Sequence, residues 1–168
     1  MYKEQDMRII YLLLLCSLLY GDIDVSNIQL KKAYNYLHKH QIQKAIEIYK
    51  NLSKDCIADA DYNLGIIYYF IQKDNKLALY YFQKASNAGL PEAKYYLAVL
   101  LSKKAKIKDD TIVKLIIESA VAGYPDAQEA FGKLLLDINK TDDAKQWFEK
   151  ASKQGNVKAK EFLKRLKK

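Results

Sequence analysis

Residues 88–93 read Ala-Gly-Leu-Pro-Glu-Ala, and residues 122–127 read Ala-Gly-Tyr-Pro-Asp-Ala. The two phrases lie 34 positions apart (122 − 88 = 34). Each has the chemistry of a helix-to-helix hinge. Gly89 and Gly123 sit where a helix ends in a left-handed residue, which glycine adopts without a Cβ penalty. Leu90 and Tyr124 can fold back on the finished helix. Pro91 and Pro125 suit the first position of a new helix, where no N–H bond is lost. Glu92 and Asp126 place negative charge near the positive end of that helix's dipole. Ala93 and Ala127 then permit close packing.

The repeat extends outward from these hinges. Ala60 lies 33 residues before Ala93 (93 − 60 = 33), and Ala159 lies 32 after Ala127 (159 − 127 = 32). Four residues after each alanine stands Leu64, Leu97, Phe131 or Leu163. The next position is small in three units (Gly65, Ala98, Gly132) and Lys164 in the last. A second amphipathic pattern precedes each hinge: Ala78, Tyr81, Phe82, Ala85; Ile112, Leu115, Ile116, Ser119; and Ala144, Trp147, Phe148, Ala151. Spacings of three and four mark one apolar helical face. Self-similarity at this period signals stacked helical hairpins.

In the third hinge Gly155 is kept and Asn156 is an N-cap candidate. In the first, Cys56 takes the glycine position (89 − 33 = 56). No left-handed cap is expected there, and Cys56 reads as a small buried side chain. Ser26-Asn27-Ile28-Gln29 fits a capping box with Ser26 as cap. The pattern predicts helices near 26–40, 42–54, 58–72, 75–88, 91–103, 109–122, 125–138, 141–154 and 156–167. The last, strongly charged helix would close the stack, because a terminal layer needs a polar outer face.

Composition agrees with this reading. Of 168 residues, 6 are glycine and 2 proline, so long segments run without breakers. The net charge of +8 is concentrated. Residues 145–168 carry nine basic and two acidic side chains, a balance of +7 (9 − 2). Such an end is either a solvated helix with cations at its C-terminus or an attractor of nucleic acid, anionic lipid or acidic protein.

Residues 9–20, IIYLLLLCSLLY, span about 18 Å as a helix, too short for a ~30 Å hydrocarbon core. Their length suits the apolar region of a signal peptide, ending at Gly21-Asp22. Starting translation at Met7 would sharpen the signal. A lipidated Cys16 and a packed apolar helix are the competing readings. Without this segment Cys56 is the one cysteine, which excludes an internal disulfide.

These residues resemble the Sel-1-like repeat family, a relative of the tetratricopeptide repeat. The unit Ala60-Asp61-Tyr62-Asn63-Leu64-Gly65, Tyr68, Lys76-Leu77-Ala78, Tyr81-Phe82-Gln83-Lys84-Ala85, Ala88-Gly89 follows the family's order. Ala144, Trp147, Phe148, Lys150, Ala151 and Gly155 follow it again. The family's glycine-rich insertion between the two helices is missing here, and Ile112 replaces a second-helix alanine. The resemblance implies an all-α, right-handed solenoid of about four hairpins with a C-terminal capping helix. Residues 1–21 would be the signal peptide or short apolar helix. Residues 22–57 would be a degenerate hairpin and 58–168 the Sel-1-like repeats.

No phosphate loop, nucleophile elbow, helical zinc motif or paired C-x-x-C is present. His38 and His40, two apart on a helix, point in different directions. Asp109-Asp110 and Asp142-Asp143 open helices and read as caps. No catalytic residue, metal ligand or cofactor is therefore expected. The resemblance implies a protein–protein adaptor, with the first helix of each unit lining a concave face. Its candidate partner-binding residues are Tyr62, Ile66, Tyr69, Tyr95, Val99, Glu129 and Lys133. The expected partner is a protein or peptide; nucleic acid or an anionic surface at the basic end is the alternative. Transient membrane contact through either end goes with these readings. Localisation follows the N-terminus: exported to the envelope or outside if it is a signal, otherwise cytoplasmic or membrane-tethered.

Overall fold

A computed structural model describes residues 25–103 and 109–166 of the chain. The apolar stretch 9–20, Cys16, the alternative start at Met7 and the last two lysines lie outside the described residues. Among those described, all regular structure is helical. Helix α1 spans 25–38, and α2 Ile42–Lys54. Then follow α3 Ala58–Ile66, continued by a π-helical turn Ile67–Ile71, and α4 Asn75–Asn87. The chain goes on through α5 Pro91–Ser102, α6 Asp110–Val121, α7 Pro125–Asp137, α8 Thr141–Lys153 and α9 Val157–Arg165. No described helix is long and apolar enough to cross a membrane. The residues fall into two compact units, divided between Ala60 and Asp61 inside α3.

The first unit pairs α1 with α2. Ala33, Ala45, Ile46, Tyr49 and Leu52 are buried. His38 Nδ1 lies 3.1 Å from the Tyr34 carbonyl, and the His38 and Tyr34 rings lie 4.1 Å apart, tilted by 47°. His40 is a turn residue with φ 56°. Ser26 is already inside α1, because residue 25 is helical. It therefore is not the N-cap its spacing suggested: the helix begins upstream of the capping-box phrase.

The hinges repeat one hydrogen-bond pattern. Gly89 N–H donates to Ser86 O (2.9 Å) and Leu90 N–H to Ala85 O (3.1 Å). Gly123 and Tyr124 do the same to Ala120 and Ser119, and Gly155 and Asn156 to Ser152 and Ala151. This is the Schellman closure. Cys56 makes it as well, with φ 59°, bonding Ser53 O at 3.3 Å while Ile57 N–H reaches Leu52 O. Both expectations for Cys56 are thus corrected: it is left-handed, and it is exposed. The reason is geometric. A Cβ placed on Gly89, Gly123 or Gly155 meets nothing within 4 Å, so this position points to solvent. A side chain there pays only backbone strain, about 1–2 kcal/mol. His40 and Asn139 close the turns within hairpins in the same way, while Lys73, also left-handed, closes a wider turn in which Asp74 N–H reaches Tyr68 O at 2.9 Å.

Helix starts use the expected chemistry. Asn156 Oδ1 accepts from Ala159 N–H at 2.8 Å, and Asp109 accepts from Thr111 N–H at 2.9 Å. Asp74 accepts from both Lys76 and Leu77 N–H at 3.0 Å. Pro91 and Pro125 each open a helix, followed by Glu92 and Asp126.

The π-helical turn in the second unit has a countable cause. From Gly65 to the left-handed Lys73 are eight steps (73 − 65 = 8). From the equivalent Gly132 to Asn139 are seven (139 − 132 = 7). The first repeat carries one extra residue, and the widened turn absorbs it, with Gln72 N–H reaching back to Ile67 O.

In the second unit successive elements pack as neighbours along the chain, from the π-helical turn through α9. Glycine sets how closely they approach. A Cβ on Gly65 would lie 2.5 Å from Phe82 Cδ1, and one on Gly132 would lie 2.7 Å from Phe148 Cε1. Both rings are fully buried. The charged α9 is the last described helix, with Lys158, Lys160, Glu161, Lys164 and Arg165 exposed.

Candidate functional site: a groove beside the middle repeat

Counting from each hinge reveals why the layers differ. Seven residues before the hinge glycine stand Phe82 (89 − 7), Ile116 (123 − 7) and Phe148 (155 − 7). Seven after it stand Tyr96 (89 + 7), Ala130 (123 + 7) and Phe162 (155 + 7). In the outer layers these pairs stack: Phe82 on Tyr96 at 5.2 Å and 12°, Phe148 on Phe162 at 4.9 Å and 6°. In the middle layer Ile116 instead joins Ala98 and Ile112 in a buried cluster against which Leu101, Leu115, Ala130, Phe131 and Leu134 pack. Two rings are replaced by an isoleucine and a methyl group, and the space is left open.

A groove of about 220 Å³ lies there. Helix α5 lines it with Tyr95, Ala98, Val99 and Ser102, and α6 with Ile112 and Ile116. Helix α7 supplies Glu129, Ala130, Lys133, Leu134 and Asp137, and α9 supplies Lys158. Four residues expected at the interface, Tyr95, Val99, Glu129 and Lys133, are therefore brought together. Tyr69 lines a neighbouring hollow of about 230 Å³ with Phe70, Lys73, Asn75 and Lys103; the Lys103 ammonium lies 4.5 Å from the Tyr69 ring centre. Tyr62 is half-buried among rings, 6.1 Å from both Phe82 and Tyr96. Ile66 is partly buried and lines neither hollow.

Beside the groove several tyrosines gather near Asp126. The Tyr62 and Tyr96 phenols lie close enough to Tyr124 to interact with it electrostatically. Tyr124 Oη donates to Asp126 Oδ2 at 3.3 Å, and Asn156 Nδ2 donates to Asp126 Oδ1 at 2.7 Å. Tyr95 packs on Tyr124 at 5.4 Å. Burial pushes the Tyr95 phenol up to about 12, with the Asp126 and Glu129 carboxylates adding to the shift. Burial raises Tyr62, Tyr96 and Tyr124 in the same direction.

Among the groove residues Glu129 stands apart. It is 5% exposed, and its Oε1 has no hydrogen bond among the described residues. Lys133 Nζ lies 3.7 Å away, an ion pair without a hydrogen bond, and that lysine is half-exposed.

Sequence reading missed Tyr96, Tyr124, Asp137 and Lys158. Asp137 was legible, since 129, 133 and 137 form an i, i+4, i+8 row on α7. Lys158 was not, because its place depends on how α9 packs. Among the described residues no cluster of three or more metal-ligating side chains occurs.

Within the second unit the geometry defines an all-α stack of helical hairpins with an open groove on one layer. Comparison with solved structures specifies it further as the Sel1-like repeat fold. The chain superposes on c5321, a protective antigen present in uropathogenic Escherichia coli strains and displaying an SLR fold, with a TM-score of 0.72 at 22% identity. It matches a Sel1 repeat protein from Oxalobacter formigenes at 0.67 and 22%, and MamA at 0.53 and 23%. These matches cover 82%, 83% and 86% of this chain, and 32%, 62% and 86% of the respective neighbours. The chain thus spans about a third of the first and under two thirds of the second. Identities this low show the fold alone. No protein-family model and no curated protein matches the sequence.

Proposed function

We propose that this chain is a non-enzymatic Sel1-like repeat scaffold that binds a segment of another protein in the groove between α5 and α7. The observation that carries the reading is the missing aromatic stack of the middle layer. It leaves an apolar floor of Ala98, Ile112, Ile116 and Ala130, with Glu129 buried beside it, under a rim of Tyr95, Lys133 and Lys158. Apolar floors with a few polar groups suit an inserted side chain, and tyrosine offers a large ring with a polar tip. The domain division at residues 21 and 57 and export through the N-terminal apolar segment belong to the same proposal. Export rests on the length of residues 9–20 and is in keeping with c5321 being described as an antigen.

The binding reading is tested by placing a photo-crosslinking amino acid at Val99, inside the groove, or at Val121, which is 69% exposed and outside it. Illumination in the native cell should give a protein adduct from position 99 and none from 121. Equal adducts from both, or none from 99, would remove the groove as the binding site. Intact mass of the mature protein tests export: a start near Asp22 supports it, and retention of residues 9–20 refutes it.

A further inference from the structure

The groove is not chemically neutral inside. Its one deeply buried charge is the Glu129 carboxylate, whose Oε1 accepts no hydrogen bond among the described residues. Leaving such an oxygen dry and unpaired is costly, and a donor that reaches it recovers the loss. Lys133 does not meet that need. Its ammonium stands 3.7 Å away on a half-exposed side chain, beyond hydrogen-bond reach. Lys133 also lies 5.9 Å from the Phe162 ring centre, so it has an alternative resting place. The other charged groups on the groove are Asp137 and Lys158, which balance one another. Beside Glu129, Tyr95 and Val99 form a wall that an aliphatic stem can cover, and the Tyr95 ring can hold a cation against its face.

Resting on the groove reading above, we infer that the bound segment inserts an arginine or lysine side chain, its cationic head hydrogen-bonded to Glu129 and its stem along Tyr95 and Val99. Charge complementarity selects this occupant: the buried group is anionic, and its Oε1 lacks a hydrogen-bond donor among the described residues. A guanidinium suits it best, because it stays charged on desolvation and its donors are fixed in a planar fork.

The test is selection of displayed random peptides on the full chain, followed by synthesis of the enriched peptide and its arginine-to-citrulline analogue. We expect enrichment of arginine or lysine at one fixed position. Glu129→Gln should weaken the selected peptide about tenfold or more, as loss of a charged hydrogen bond does. The citrulline analogue should bind wild type and Glu129→Gln equally. Lys133→Ala, which removes the competing ammonium, should tighten binding several-fold; it gives an independent reading if Glu129→Gln folds poorly by circular dichroism. Val99→Asp separates the two levels of the reading. Peptides abolished by Val99→Asp but showing no basic preference, or unaffected by both Glu129→Gln and Lys133→Ala, would overturn this inference and leave the groove as the binding site. Peptides indifferent to Val99→Asp, or no selected peptide at all, would overturn both.

Discussion

Replacing Gly132 by alanine should destabilise the protein even though alanine is the better helix former. In a helix interior the exchange alone is worth about 1 kcal/mol in alanine's favour. At this position the added methyl would stand 2.7 Å from Phe148 Cε1 and 2.9 Å from both Cδ1 and Cζ. Carbon atoms prefer roughly 3.5–4.0 Å, so three contacts are each short by most of an ångström. The ring has little room to retreat: it is fully buried and stacked on Phe162 at 4.9 Å. Overpacking of this kind costs about 1–3 kcal/mol, and three simultaneous overlaps place it at the upper end. The net expectation is a loss of about 1–2 kcal/mol, or roughly 2–8 °C in melting temperature at this chain length. Thermal and urea melts followed by circular dichroism measure it. The middle repeat supplies the compensating pair, since Ala98 packs on Ile116. Phe148→Ile should therefore cost less in the Gly132→Ala background than in wild type, by about 1 kcal/mol of coupling. A Gly132→Ala protein that melts higher than wild type, or two substitutions that simply add, would refute the close-approach argument.

Other positions give sharp expectations. Cys56→Gly should raise the melting temperature by a few degrees by relieving about 1 kcal/mol of left-handed strain, and in wild type Cys56 should react with an aromatic disulfide reagent without unfolding. Asn156→Ala removes the α9 cap and the donor to Asp126, and should cost about 1 kcal/mol, seen as faster hydrogen exchange in α9. In alkali, Tyr49, Tyr62, Tyr95, Tyr96 and Tyr124 all have raised folded-state values, Tyr49 and Tyr95 to about 12 against 10 when unfolded. The folded state then holds more protons than the unfolded one from about pH 10 upward. Stability is intact below that pH and should fall as pH rises toward 12, with late tyrosinate absorbance appearing together with loss of helicity.

Much of the fold was legible because it is local. The hinge phrases contain their own caps, so α5 and α7 begin at Pro91 and Pro125 as read, and helix ends fall within two residues or so of expectation. What escaped depended on geometry beyond the phrase. Cys56 looked wrong for a left-handed cap because glycine filled the other hinges. The structure shows that the site is open, so only backbone strain opposes a side chain. Ser26 matched a capping box, but α1 already includes residue 25. The π-helical turn follows from one extra residue, visible only when both repeats are counted from their small residue to their left-handed turn.

The site shows the same division. Tyr95, Val99, Glu129 and Lys133 were found by helical spacing and meet in one groove. The cause of the groove lies in the alignment of Phe82, Ile116 and Phe148 against Tyr96, Ala130 and Phe162. That correspondence is written in the sequence, yet it acquires meaning only once facing helices are known to place each pair in contact.

The most direct test of the account is to restore the missing ring. Ala130→Tyr places an aromatic group where Tyr96 and Phe162 stand in the adjoining layers, and so fills the groove from its floor. The measurement is the protein adduct formed by the crosslinker at Val99, with helicity and melting checked in parallel. The account predicts a folded protein that has lost the adduct. A folded Ala130→Tyr protein that still gives the full adduct would contradict the claim that the open middle layer is where the partner binds.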